Sequence, residues 1–235
     1  PMAVYTDVDD NTLREFLRSY DIGDLVKKTP IAEGVENSNY RIDTDQGRFI
    51  LTLFEKRVDE KDLPFFMGLT GALAAKQLSK RPAVIVNFLD GRPHMTPNPR
   101  DCGELGAVLS ALHLQVSDFN KQRNNPLSLD GWRKLADNCR EGADRCEPGL
   151  AAVIDKELVY LTNNWPADLP SGVVHSDLFP DNVLFDGEKI SGVIDFYFSC
   201  TDFFAYDLAV CINAWCFDAQ GRFQRDNAAR LIADY

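Results

Sequence analysis

His175-Ser176-Asp177-Leu178-Phe179-Pro180-Asp181-Asn182, with Asp195 of Val193-Ile194-Asp195-Phe196 following 13 residues after Asn182, is the stretch on which the fold turns. The pattern is His-x-Asp-x-x-x-x-Asn, then an aspartate closing a short apolar strand. That spacing suits phosphoryl transfer from a nucleoside triphosphate. Magnesium takes hard oxygen ligands, commonly one or two carboxylates with phosphates and water. Asp195 offers the carboxylate and Asn182 a neutral amide oxygen, which avoids a second full charge facing a triphosphate. Asp177 reads as the general base that accepts the proton of an attacking hydroxyl, with Pro180 stiffening the loop between it and Asn182. The bland alternative is an acidic loop that matches by accident, and the surrounding elements weigh against it.

Around this loop lie short strands at Val173-Val174, Val183 to Phe185 and Ser191 to Ile194, with Asp186-Gly187 as a turn. Phe203 to Phe217 is apolar nearly all round, interrupted by Asp207 and Asn213, and reads as a fully buried helix. Upstream, Leu105, Leu109, Leu112 and Val116 recur at helical spacing. Two further helices are marked by Trp132, Leu135 and Cys139 and by Leu150, Ile154, Leu158 and Leu161. Gly91, Pro93, Pro97 and Pro99 mark a hinge. Before it, Asp9 to Tyr20 reads as a helix with acidic N-cap candidates, and Tyr40 to Thr44 and Arg48 to Phe54 as a hairpin turning at Asp45-Gln46-Gly47. Asp59 to Leu78 reads as one helix capped by Asp59, and Ala83 to Leu89 as a buried strand. The layout is α+β with two lobes: a small β-rich N-terminal lobe over 1–89 and a larger, mainly helical C-terminal lobe over 90–235. Clefts between lobes favour ligands.

The 235 residues carry a formal charge of −11, 45% apolar and 11% aromatic residues, a composition of folded protein that repels nucleic acid and anionic membranes. No apolar run is long enough to span a bilayer and no signal peptide opens the chain, so the expected setting is cytoplasmic. The six cysteines form no Cys-x-x-Cys pair and read as reduced core thiols.

The chain resembles the aminoglycoside phosphotransferase/choline kinase superfamily, a branch of the protein-kinase-like two-lobe fold. Within it the likeness is to the bacterial homoserine kinases of threonine biosynthesis. It is carried by Ala3 to Asp7, Ile31 to Tyr40, Phe49 to Arg57 and the block from Val174 to Phe217, including Asp195-Phe196-Tyr197-Phe198 and Cys211 to Phe217. The resemblance implies an ATP- and magnesium-dependent small-molecule kinase with L-homoserine as acceptor. Choline, methylthioribose and aminoglycosides remain as other acceptors, and a silent kinase-like binding module as the reading from another class.

It further implies that Asp177 is the base, that Asn182 and Asp195 are the metal ligands, and that Glu36, Asn37, Ser38 and Asn39 cover the nucleotide phosphates. Asn87, Phe88 and Leu89 would form the hinge strand that meets adenine, and Asp207 the buried acid that ties down the catalytic loop, with His175 bracing it. The phosphate-covering turn has the single glycine Gly34. The usual strand lysine is replaced by Thr52; alternation puts Lys56 on the same side, where it is equally a substitute or an exposed strand-end residue. Asp202 and Asp207 are candidates for a substrate ammonium. Tyr197, Tyr206, Asn213 and Trp215 are candidates for the pocket lining, against the commoner reading of such residues as core. Between Ser79 and Pro82 the chain reads as too short for the family's further strand and turn, and the C-terminal lobe is expected to extend past Tyr235.

Overall fold

The computed structural model describes residues 5–32, 37–55, 60–71 and 73–235. Helix α1 (Asp10–Leu17) starts where the Asp9 carboxylate accepts from Asn11 N and Thr12 N, both at 3.0 Å. Such capping satisfies two of the backbone donors that a helix start leaves orphaned. Strands β1 (Leu25–Ile31), β2 (Ser38–Thr44) and β3 (Arg48–Leu53) follow, β2 and β3 forming the expected hairpin. Next come α2 (Leu63–Thr70), β4 (Leu73–Leu78) and β5 (Arg81–Asn87), completing an antiparallel sheet of order β1-β2-β3-β5-β4. Tyr40 and Ile42, Leu51 and Leu53, and Ala83 and Ile85 alternate onto one face and pack against Leu13, Phe16 and Leu17 of α1. On the opposite face Val84 joins Phe54 and Leu63, with Tyr197 packed against them.

The single helix expected over Asp59 to Leu78 is corrected. Asp59 lies outside the described residues, and α2 stops at Gly71, which is left-handed at φ 61° and so terminates the helix at no steric cost. Leu73–Leu78 then pairs with β5 as an edge strand, through a turn in which Ser79 and Lys80 have φ of 51° and 63°. Two positive φ values in succession belong to the tight turns that match sheet twist. The strand and turn expected to be lacking are therefore present, taken from the segment read as helix. The strand expected at Ala83 to Leu89 is also shifted, to Arg81–Asn87.

Beyond β6 (Arg92–Pro93) helices dominate: α3 (Pro99–Gln115), α4 (Leu129–Cys146) and α5 (Leu150–Asn164). Asn98 and Asp101 start α3 with a reciprocal capping box. Strands β7 (Ser171–Val174), β8 (Val183–Asp186), β9 (Lys189–Val193) and β10 (Cys200–Phe203) make two small sheets, β6-β8-β9 and β7-β10, and α6 (Phe204–Trp215) and α7 (Arg225–Asp234) complete the chain. Leu105 and Leu109 pack with Leu178, Val183, Phe185, Trp215 and Leu231 in the second core. Helix α7 lies tight on α3, because a Cβ on Gly106 would stand 2.3 Å from Leu231 O.

Three further expectations need correction. The apolar stripe of α3 runs through Cys102, Leu105, Leu109 and His113; Leu112 and Val116 are only half-buried. Helix α6 is buried along one face alone, that of Asp207, Cys211 and Trp215, while Ala205, Ala209 and Asn213 are exposed. Cys139 and Cys146 lie exposed on α4, and only the other four cysteines are core thiols; all six are free. Among the described residues no helix is long and apolar enough to cross a membrane.

Candidate active site

The loop His175–Asn182 joins β7 to β8 and hangs from α6 at two points. The Asp207 carboxylate, fully buried, accepts from His175 N at 2.7 Å and Ser176 N at 2.8 Å, and faces His113 Nε2 at 3.1 Å. Two turns further along α6, Trp215 Nε1 donates to Leu178 O at 2.6 Å. A buried carboxylate is tolerable only when hydrogen-bonded in this way. These bonds hold Ser176 at φ 66°, a left-handed conformation that a serine avoids when unconstrained.

Inside the loop, Asn182 Nδ2 donates to Asp177 O at 2.7 Å and to Asp177 Oδ2 at 3.0 Å. Those two acceptors fix which end of the amide is nitrogen and turn its oxygen the other way. The main chain of Asn182 continues into the β8–β9 pairing: Val183 lies opposite Val193, and Ile194 N donates to Asn182 O at 3.0 Å. Asp195 follows at once, left-handed at φ 64°, and opens the short turn Phe196–Phe198. The Asn182 side chain thus ties residue 182 to 177 and its carbonyl to residue 194, next to Asp195, with Asp177 and Asn182 half-buried and Asp195 exposed.

His175 sits under these residues, completely buried. Its Nε2 donates to Ile194 O at 3.0 Å while Nδ1 accepts from Asp177 N at 3.3 Å. One donor and one acceptor define a neutral imidazole. Burial pushes its pKa below the ordinary 6.5, the Asp207 charge working in the opposite direction. Acid therefore protonates the unfolded chain before the folded one. Stability is full above about pH 6.5 and falls as pH drops below that value. Urea midpoints measured from about pH 7.5 down to about pH 5 should show this slope, and His175→Gln should flatten it. A slope that survives the substitution unchanged would assign it to other groups.

On the sheet side, Gly34, Glu36 and Lys56 lie outside the described residues. Asn37 is buried. Ser38 Oγ donates to Glu55 Oε1 at 2.6 Å and accepts from Tyr5 N and Thr6 N at 2.9 and 3.0 Å, so its hydroxyl fastens the N-terminal segment to the sheet. Thr52 Oγ1 donates to Asn39 Oδ1 at 2.8 Å. Asn87 ends β5, Phe88 N donates to Arg48 O at 3.0 Å, and Leu89 crosses over Gly192 of β9. Tyr197 packs edge-on against Phe54 at 5.0 Å and Phe66 at 5.9 Å. Its phenol is pushed up by burial and hydrogen-bonds Thr52, which makes it part of the packing between sheet, α2 and the Asp195 segment. Asp202 accepts from Asn125 Nδ2 and Phe203 N, both at 2.7 Å, and Tyr206 donates to Leu127 O at 3.1 Å. Asp202 and Tyr206 therefore gather around the 125–127 segment. Asn213 stands exposed two turns along α6, and Trp215 is buried in the core.

A family model described as the phosphotransferase enzyme family, APH, matches residues 28–235. The chain belongs to that family. This phosphotransferase is 51% identical to a homoserine kinase of Parvibaculum lavamentivorans and 52% identical to one of Methylobacterium radiotolerans, in each case over all of its own length and 78% of the relative's. The expected likeness to homoserine kinases is thus borne out. Both alignments run over 251 positions against the chain's 235 residues, so the relatives carry residues that this phosphotransferase lacks. Among solved structures, spectinomycin phosphotransferase APH(9)-Ia with ADP and spectinomycin aligns at a TM-score of 0.69 and 16% identity, covering 98% of this chain and 80% of that one. Amicoumacin kinase hAmiN with AMP-PNP aligns at 0.68 and 14%, covering 97% and 77%. At such identities the likeness establishes the kinase-like fold.

Three residues of this phosphotransferase that sequence reasoning passed over touch the site's supports. His113 joins Asp207 to the hydroxyl of Tyr235, with Nδ1 at 2.9 Å. A polar residue on the buried stripe of α3 is the signal that marks it. Asn125 holds Asp202, and Arg123 reaches the segment behind Asp195. Both lie in an irregular stretch with no periodicity to expose them.

Proposed function

We propose that this chain is a magnesium-dependent homoserine kinase, moving the γ-phosphoryl group of ATP to the side-chain hydroxyl of homoserine to give O-phosphohomoserine and ADP in threonine biosynthesis. The observation that carries this reading is the 51% identity to a homoserine kinase along the whole chain, with the 175–182 loop and Asp195 intact. In this reading Asp177 takes the proton of the homoserine hydroxyl as its oxygen attacks, help worth on the order of 10²- to 10⁴-fold. Asn182 Nδ2 holds the Asp177 carboxylate in orientation for that step.

Asn182 Oδ1 and the Asp195 carboxylate would hold the magnesium ion, which when bound neutralises charge on the transferring phosphates. The donors fit such a cation: both are hard oxygens, and the Asn182 nitrogen is turned toward Asp177. Magnesium commonly takes one or two protein ligands and completes its shell with phosphates and water.

Residues 1–89 are the nucleotide-binding lobe and 90–235 the catalytic and substrate lobe of a cytoplasmic enzyme. Asn37 and Asn39, with Gly34 and Glu36, cover the phosphates; Lys56 is the candidate cation there. Phe88 N is committed to Arg48 O, so the adenine contacts are assigned to the backbone of Asn87 and Leu89. Asp202, braced by Asn125, and Tyr206 are assigned to the acceptor's ammonium side. Magnesium-dependent ADP release, measured with homoserine, choline, methylthioribose and an aminoglycoside, tests the reading. Turnover with homoserine is expected. Turnover with another alcohol alone would move the acceptor, and none with any would overturn the kinase assignment.

A further inference from the structure

Arg123 lies between α3 and α4 and makes contacts in three directions. Its Nε donates to Asp62 Oδ2 at 2.8 Å, the residue that precedes α2. Its Nη1 donates to Ser199 O at 2.9 Å and lies 3.5 Å from Phe198 O, in the segment that leaves Asp195. The guanidinium also stands over the ring of Phe66 on α2, 5.0 Å from its centroid. Both charged partners are shielded, with 15% of the Arg123 side chain and 20% of Asp62 exposed. The Arg123 backbone is itself fixed, because Thr201 N donates to Arg123 O at 2.7 Å and Arg123 N donates to Thr201 Oγ1 at 3.3 Å.

A planar fork with fixed donor directions can address a carboxylate, a pair of carbonyls and an aromatic face together; an ammonium is a point charge and cannot. The bonds converge on a segment that begins with a left-handed aspartate and runs straight into a buried serine. Ser199 Oγ is also within 3.4 Å of His175 O, so the same segment touches the catalytic loop.

We propose that Arg123 is a positioning residue that couples α2 of the small lobe to the Asp195 segment, setting how well Asp195 meets a magnesium–nucleotide complex. This rests on the assignment of Asp195 to magnesium, and not on the identity of the acceptor. Removing the fork leaves the segment's backbone less constrained and α2 joined to it through the packing of Phe66 and Tyr197. Loss of such outer support costs about 10- to 100-fold in metal-dependent binding, and about tenfold is expected here because Arg123 acts through the backbone.

The test compares wild type with Arg123→Lys, Arg123→Gln and Asp62→Asn. AMP-PNP binding is measured by calorimetry with magnesium and with EDTA, and hydrogen exchange is followed over residues 63–70 and 196–201. Arg123→Gln should weaken binding in magnesium about tenfold and leave binding in EDTA unchanged. Exchange should rise in both segments together. Asp62→Asn should move the same quantities in the same direction, and the Arg123→Gln/Asp62→Asn double variant should add little to Arg123→Gln alone. Arg123→Lys should fall with Gln rather than rescue, since charge without the fork does not suffice. Equal weakening with and without magnesium, or exchange that rises across the whole chain, would reduce Arg123 to a structural role and overturn the proposal. Wild-type binding that ignores magnesium would overturn it along with the metal assignment. A wild type that binds in magnesium but fails to phosphorylate homoserine would overturn the acceptor alone and leave this result to be read on its own.

Discussion

Asp177→Asn is expected to lower homoserine-dependent ADP release on the order of 10²- to 10⁴-fold while AMP-PNP still binds. The substitution is nearly isosteric. An amide oxygen at the Oδ2 position still accepts from Asn182 Nδ2, now 3.0 Å away, and the backbone bond from that nitrogen to Asp177 O is untouched. What disappears is the capacity to take a proton from the attacking hydroxyl. The loss should therefore fall on kcat, with KM for ATP little changed, because an interaction made only in the transition state has been removed. A fall of less than about tenfold would take the proton-accepting role away from Asp177.

Asp207→Ala should strongly destabilise the larger lobe. It strands two backbone donors, His175 N and Ser176 N, and leaves His113 Nε2 facing a cavity. Breaking a buried charged partner in this way costs about 3–5 kcal/mol, and each orphaned donor on its own about 1–3 kcal/mol. Ser176 also loses the bond that holds it left-handed, so turnover should vanish even in protein that remains folded. Asp207→Asn keeps a single acceptor oxygen and should fall between wild type and Asp207→Ala. Urea titrations of the three proteins give the ordering, and a cost below about 1 kcal/mol for Asp207→Ala would contradict it.

The reacting loop was legible in the sequence because its pattern is local. Residues 175, 177 and 182 lie within eight positions, and Asp195 is returned to them by a two-strand turn whose apolar alternation is plain. The β2–β3 hairpin and α1 were legible for the same reason, each carrying its own turn or cap. Asp59 to Leu78 misled because Leu73 to Leu78 has no alternation strong enough to oppose the helical spacing before it. Gly71, which stops the helix, and the Ser79-Lys80 turn, which folds this stretch back onto the free edge of β5, decide the outcome. The apolar run Phe203 to Phe217 overstated burial in the same way: composition counts side chains, while packing selects one face. Asn125, His113 and Arg123 support the site through contacts 77, 94 and 76 residues away, and no window along the chain can reveal such partners.

The bond from the Trp215 indole to the Leu178 carbonyl gives the enzyme an intrinsic optical reporter. Of the three tryptophans, Trp132 and Trp165 sit edge to face with each other at 5.5 Å, and Trp215 is the one bonded to the reacting loop. With the other two replaced by phenylalanine, the colour of the remaining emission follows that loop directly: blue while the indole is dry, and shifted to longer wavelength once water reaches it. Nucleotide, acceptor and acid can then each be watched acting on residues 175–182 without any label being attached.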